Sequence, residues 1–126
     1  MIKKILIVDD QAYIRVLLEQ TLEDLRNTGI ELLSAGDGLE AWKTVQEQRP
    51  DLVILDIMMP GLSGYEVCKR IKTDPDLSKV HIIMLTAKGQ DEDLKRSIEA
   101  GADEYVTKPF NPDYLIERAA SLLDVK

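Results

Sequence analysis

The sequence predicts an α/β fold of five short strands alternating with five helices, forming one five-stranded parallel sheet covered on both faces. Three observations carry this. Two four-residue apolar runs, residues 5–8 and 52–55, are rich in β-branched side chains and too short for globular helices, so they suit strands buried on both faces. Stretches with helical periodicity separate the apolar runs. Cap and turn residues stand at most of the junctions. Strict β-α alternation implies a doubly wound parallel sheet with right-handed crossovers.

In chain order, the first strand, Ile5-Leu6-Ile7-Val8, runs into Asp9-Asp10. The helix after it places Ile14, Leu17, Leu18, Thr21, Leu22 and Leu25 on one face and stops at Asn27-Thr28-Gly29. Residues 30–35 make a second strand, and Asp37-Gly38-Leu39-Glu40 is a capping box that opens the second helix. That helix buries Ala41 and Val45, carries a partly buried Trp42, and ends before Arg49-Pro50. The third strand, Leu52-Val53-Ile54-Leu55, ends on a carboxylate, Asp56. Ser63-Gly64-Tyr65-Glu66 is another capping box, whose helix turns Val67, Cys68 and Ile71 inward until Asp74-Pro75-Asp76 breaks it. The fourth strand, residues 80–85, ends at Thr86-Ala87. The fourth helix spans residues 91–100, with Asp91-Glu92-Asp93 as favourable charge at its start and Gly101 as its terminator. A short fifth strand, residues 104–106, leads to Thr107-Lys108-Pro109. Asn111 as N-cap and Pro112 at the first helical position open the last helix, which packs Leu115, Ala119 and Leu122.

Length and charge bound the function. The 126 residues suit one domain, residues 1–126, with a real core. A net charge of −7 argues against direct binding of nucleic acid, which needs clustered Lys and Arg, and suits cationic partners including metal ions. The lone Cys68 cannot form an internal disulfide, so a reducing compartment fits. The four apolar residues after Lys3-Lys4 are too few for a signal peptide, and nothing approaches the roughly 18 apolar residues of a membrane span. A soluble, cytoplasmic protein is expected.

The chemistry gathers at one edge, because parallel strands all point their C-terminal ends the same way. Asp9, Asp10, Asp56, Thr86 and Lys108 stand there, with only Gly36 and Asp37 from the second strand. In a flavodoxin-like order, 2-1-3-4-5, the first and third strands are neighbours at the switch point where such sheets bind ligands. Three carboxylates then share one small site. Two charges about 4 Å apart repel by roughly 4 kcal/mol at an effective dielectric near 20, so three need a cation. Lys108 supplies one; hard oxygen ligands also suit Mg²⁺, which binds one or two carboxylates together with phosphate. Metal, carboxylate nucleophile, hydroxyl and ammonium around one point make an arrangement for phosphoryl transfer.

Four segments in register, ILIVDD, LVILDIMMPGLSG, IIMLTA and GADEYVTKPF, make the chain resemble the receiver domain of two-component response regulators, the CheY-like fold, across nearly its whole length. The resemblance implies a phosphorylation-activated switch rather than an enzyme with its own substrate, limited to Mg²⁺-dependent self-phosphorylation and self-dephosphorylation. Asp56 would accept a phosphoryl group from a histidine kinase, a phosphotransfer protein or a small phosphodonor. Asp9, Asp10, Asp56 and the main-chain carbonyl of Met58 would hold Mg²⁺. Thr86 would hydrogen-bond the phosphoryl oxygens, Lys108 would pair with them, and Tyr105 would turn inward as Thr86 moves. The Lys108-Pro109 bond is cis in the family.

Two departures from the family pattern stand out. Chemotaxis-type receivers carry polar residues two after the acceptor and two after the threonine; here those positions hold Met58 and Lys88, so slow self-dephosphorylation is expected. Receivers that dimerise place paired charges across the fourth helix, fifth strand and fifth helix. Glu104 and Arg118 fit one such pair, but Leu94 and Tyr114 stand where another is expected, which points to a monomer or a weak phosphorylation-dependent dimer. The sequence ends at Lys126 without an output domain, so output through a partner protein is expected; a piece of a longer regulator would look the same.

Plainer readings stand beside these. Asp9 alone suits a helix cap, Thr86 a strand-end hydroxyl, Tyr105 a half-buried core aromatic, Cys68 a packing residue and Met58-Met59 a loop contact. His81, the only histidine, starts the fourth strand away from the acidic edge and is a poor catalytic candidate. An aspartyl phosphatase of the haloacid dehalogenase type would need a second acid at Met58. A nucleotide- or flavin-binding module would need a loop presenting N–H groups to phosphate, where Asp9-Asp10-Gln11 stands instead. A scaffold that is never phosphorylated is the third alternative.

Overall fold

The computed structural model describes residues 2–87 and 91–124. Lys88 and the side chains of Asp91, Glu92 and Asp93 lie outside the described residues. In chain order the elements are β1 (Lys4–Val8), α1 (Ala12–Thr21), α2 (Glu23–Arg26), β2 (Glu31–Ala35), α3 (Gly38–Gln48), β3 (Leu52–Asp56), α4 (Gly64–Thr73), β4 (His81–Ala87), α5 (Asp91–Ala100), β5 (Glu104–Lys108) and α6 (Pro112–Leu122). All strand pairs are parallel and the order is β2-β1-β3-β4-β5, as the sequence predicts.

Side-chain alternation along the central strands divides the core into two layers. Leu6, Val8, Val53, Leu55, Ile82 and Met84 face α3 and α4, where they meet Ala41, Val45, Val67, Cys68 and Ile71. Ile5, Ile7, Leu52, Ile54, Ile83 and Leu85 face α1 and α6, where they meet Leu18, Leu22, Leu115 and Ala119. Because β1 and β3 are buried on both sides, they carry unbroken apolar runs. The polar group that follows each run is therefore brought to the sheet edge by a rigid strand.

The expected caps form. Asp37 accepts from the N–H of Glu40 at 2.8 Å, Ser63 from that of Glu66 at 3.3 Å, and Asn111 from those of Asp113 and Tyr114. Gly101 ends α5 with a φ of +92°, where a side chain would be strained.

Beyond strand ends that shift by one or two residues, with β4 running to Ala87 and β5 to Lys108, three details differ from the sequence reading. The helix after β1 is interrupted at Leu22, giving the short α2, although the apolar periodicity runs straight through. Thr21 donates its hydroxyl to the Leu17 carbonyl at 2.8 Å, a back-bond of the kind that bends helices. Leu17 is 44% exposed rather than inward-facing, and at the end of α6 Leu123 is more deeply buried than Leu122.

Candidate functional site

The register brings the acidic residues together. Val8 pairs with Leu55, so the next residues along, Asp9 and Asp56, emerge side by side at the carboxyl ends of β1 and β3. Asp56 pairs with Leu85, which places Thr86 one step beyond it on β4, and Ala87 pairs with Lys108 on β5. Asp9 is fully buried and Asp56 is 6% exposed, whereas Asp10 is exposed. Each of the three offers a carboxylate oxygen within 4.8 Å of the other two.

Among the described residues, the ammonium of Lys108 pairs with this charge. Nζ of Lys108 lies 3.0 Å from Oδ2 of Asp9 and 3.2 Å from Oδ1 of Asp56. Burial alone would lower the Lys108 pKa, but its hydrogen bond to Asp9 and the charges of both carboxylates outweigh burial and leave it raised. The Asp56 pKa is raised as well, which for a carboxylate disfavours the charged form. Burial, then the neighbouring Asp9 charge, push its pKa from 3.8 to about 6, against the pull of Lys108; Asp10 adds a smaller upward push. Among the described residues, one ammonium against three carboxylates leaves the site short of positive charge. Hard oxygen donors with unbalanced negative charge suit a hard divalent cation such as Mg²⁺ in their chemistry.

Asp10, Asp56, Met58, Thr86 and Lys108 line one cleft of about 240 Å³, together with Gln11 and Leu85. Thr86 is 2% exposed, and Met58 turns its side chain outward at 73% exposure. Tyr105 is half-buried and packs against the core layer that faces α3 and α4. The Lys108-Pro109 bond is cis. His81 lies at the opposite end of the sheet with Nε2 2.6 Å from Glu104, and Cys68 is buried with Sγ 3.5 Å from the Ala100 carbonyl, burial raising its pKa to about 12.

Several residues that shape the site were not singled out in the sequence. The N–H of Gln11 donates to Oδ1 of Asp9 at 2.9 Å, and Nη1 of Arg15 donates to the Asp9 carbonyl at 2.6 Å. Gly64 packs so closely that a Cβ there would collide with the Asp56 carbonyl, while its N–H donates to Ile57 at 3.0 Å. This locks the start of α4 against the end of β3. Gly64 belongs to a capping box and to the LVILDIMMPGLSG segment, but the backbone contact that requires it joins residues eight apart and leaves no pattern.

A family model, the response regulator receiver domain, matches residues 5–120. The chain belongs to the response regulator receiver family. This receiver is 43% identical over 121 residues to the phosphate regulon transcriptional regulatory protein PhoB of Pseudomonas aeruginosa, an alignment covering 96% of the chain and 52% of PhoB. The chain spans about half the length of the curated relatives it matches. Among solved structures, the BeF3-activated DrrB receiver domain is similar with a TM-score of 0.85 and 35% identity, covering 98% of this chain and 99% of that one. The chemotaxis response regulator CheY4 of Vibrio cholerae is similar with a TM-score of 0.83 and 32% identity, covering 97% and 99%. The fold is thus CheY-like, and the family is one of phosphorelay signalling switches.

Proposed function

We propose that this receiver is switched by phosphorylation of Asp56, supplied by a histidine kinase, a phosphotransfer protein or a small phosphodonor. The observation that carries the reading is the meeting of Asp56 with Lys108 at 3.2 Å beside two further carboxylates, in a cleft that Thr86 also lines. Asp9, Asp10, Asp56 and the main-chain carbonyl of Met58 would hold Mg²⁺. Bound there, the ion would neutralise charge on the transferring phosphoryl group.

An oxygen of Asp56 attacks phosphorus, the P–N bond of the phosphohistidine breaks, and the imidazole leaves with the electron pair. Lys108 pairs with one phosphoryl oxygen and the Thr86 hydroxyl donates to another. The donor reaches Asp56 along an apolar groove of about 400 Å³ lined by Tyr13, Ile14, Leu17, Phe110 and Pro112, which shares Gln11 and Lys108 with the acidic cleft. This occupant accounts for the exposure of Leu17. Water removes the phosphoryl group slowly, because the thioether of Met58, the residue two after Asp56, does not orient it.

Phosphorylation adds about −1.5 to −2 charges at one point. Thr86 is drawn toward them, Tyr105 turns inward, and the face formed by α5, β5 and α6 changes to control a downstream protein. A ligand shifts such an equilibrium only by its differential affinity for the two states, and Thr86 and Lys108 supply that difference here. We read residues 1–126 as one receiver domain working in the cytoplasm, as a monomer or a weak phosphorylation-dependent dimer. Among the described residues no helix is long and apolar enough to cross a membrane, and Glu104 pairs with Arg118 of its own chain.

Intact mass after incubation with acetyl phosphate tests the reading. The wild type should gain one phosphoryl group only with Mg²⁺, and Asp56→Asn should gain none. A folded wild type that gains nothing under any condition refutes it.

A further inference from the structure

Asp9 is held at four points. Its N–H donates to the Ala35 carbonyl at 3.3 Å, Oδ1 accepts from Gln11 at 2.9 Å, and Oδ2 faces Lys108 at 3.0 Å. The fourth is its own carbonyl oxygen, which accepts from Nη1 of Arg15 on α1 at 2.6 Å. The β1–β2 pairing ends at Val8 and Ala35, so this carbonyl lies past the ladder and a side chain takes the place of the missing strand donor. Arg26 and Arg118 form ion pairs, whereas Arg15 commits its guanidinium to a neutral carbonyl. Gly36 leaves the room: a Cβ there would stand 3.3 Å from Nη1 of Arg15.

The oxygen that Arg15 grips belongs to the peptide joining Asp9 to Asp10. A peptide unit is planar, so anchoring its oxygen sets the direction in which the chain leaves both α-carbons. We infer that Arg15 is a positioning residue for the divalent-cation site, holding the Asp9–Asp10 peptide so that both carboxylates converge with that of Asp56. The inference rests on the Mg²⁺-dependent reading above.

Charge and positioning predict opposite signs. A guanidinium beside a cation site repels the cation, so by charge alone its removal tightens Mg²⁺ binding. If Arg15 orients the ligands, its removal loosens binding. Groups that orient metal ligands from outside the coordination shell typically contribute about tenfold or more to affinity.

The experiment is a calorimetric titration with Mg²⁺, without phosphodonor, on wild type, Arg15→Ala, Arg15→Gln and Gly36→Ala, with circular dichroism confirming that each is folded. Arg15→Ala should bind about tenfold more weakly. Arg15→Gln, whose amide can still donate to the carbonyl, should recover part of the loss. Gly36→Ala keeps every charge but crowds the guanidinium, and should weaken binding in the same direction by less. Tighter or unchanged binding by folded Arg15→Ala overturns the inference. Should Arg15→Ala fail to fold, Arg15→Gln and Gly36→Ala decide it by the same sign. A wild type that takes up no Mg²⁺ refutes the metal reading itself, and the positioning role falls with it.

Discussion

The two ends of the sheet treat their charges in opposite ways. At the carboxyl end, Asp9 and Asp56 share the ammonium of Lys108 with Asp10 close beside them, and the Asp56 pKa is pushed up to about 6. At the amino end, acids and bases are matched. Glu104, the first residue of β5, accepts two hydrogen bonds from Arg118 at 2.8 Å each and lies 2.6 Å from Nε2 of His81. Asp103 takes Lys72 at 2.6 Å and the N–H of Ile82 at 2.8 Å. The Arg118 hydrogen bond, with a smaller contribution from His81, outweighs burial and lowers the Glu104 pKa. One sheet thus holds a carboxylate that resists ionisation and another that favours it. The balanced end is built for stability, whereas the unbalanced end keeps an excess of negative charge that a divalent cation can neutralise.

The largest expected effect comes from removing the ammonium that pairs with Asp9 and Asp56 at the unbalanced end. Lys108→Met leaves the buried Asp9 carboxylate without its ammonium and should cost about 3 kcal/mol at pH 7. Urea denaturation with and without Mg²⁺ checks this, since the ion should restore part of the loss. An unchanged midpoint would mean that Lys108 does not balance the site.

Asp56→Asn should do the reverse. A carboxylate whose folded pKa is raised contributes stability that is complete below its unfolded pKa and is lost as pH rises through the folded value. Between 3.8 and about 6 the wild type therefore loses stability that the amide variant keeps. The variant should be more stable by about 2 kcal/mol at pH 7, with the gap closing toward pH 4, as thermal melts across that range would record.

The smallest effect, of opposite sign, belongs to the balanced end. The folded pKa of Glu104 is lowered, so its contribution is present above the unfolded value of 4.5 and fades as pH falls through the folded one. Glu104→Gln should cost about 1 kcal/mol at pH 7 and less in acid. A stabilising Glu104→Gln would erase the contrast between the two ends.

Much of this was legible in the sequence. The two buried strands announce themselves as apolar runs, the cap residues sit where the helices start, and strand order alone brings Asp9, Asp56 and Lys108 to one edge. The rest depends on contacts that leave no periodic trace. The break at Leu22 falls beside a hydroxyl back-bond from Thr21, inside an uninterrupted apolar pattern that gives no sign of it. Leu17 is apolar and correctly spaced, but what covers a helix face depends on the opposing element, and here that element is the border of a groove. The grip of Arg15 on the Asp9 carbonyl joins a side chain to a backbone atom, so residue type gives no hint of it.

The most direct test of the contrast is the ionisation of Asp56 itself, followed by carboxyl carbon NMR on selectively labelled protein without divalent ions and then with saturating Mg²⁺. The account predicts a midpoint near 6 without the ion and a clear fall when Mg²⁺ is added. A midpoint near the ordinary 3.8 in the absence of metal would contradict it, because the carboxyl end would then carry no unbalanced charge for a phosphoryl switch to use.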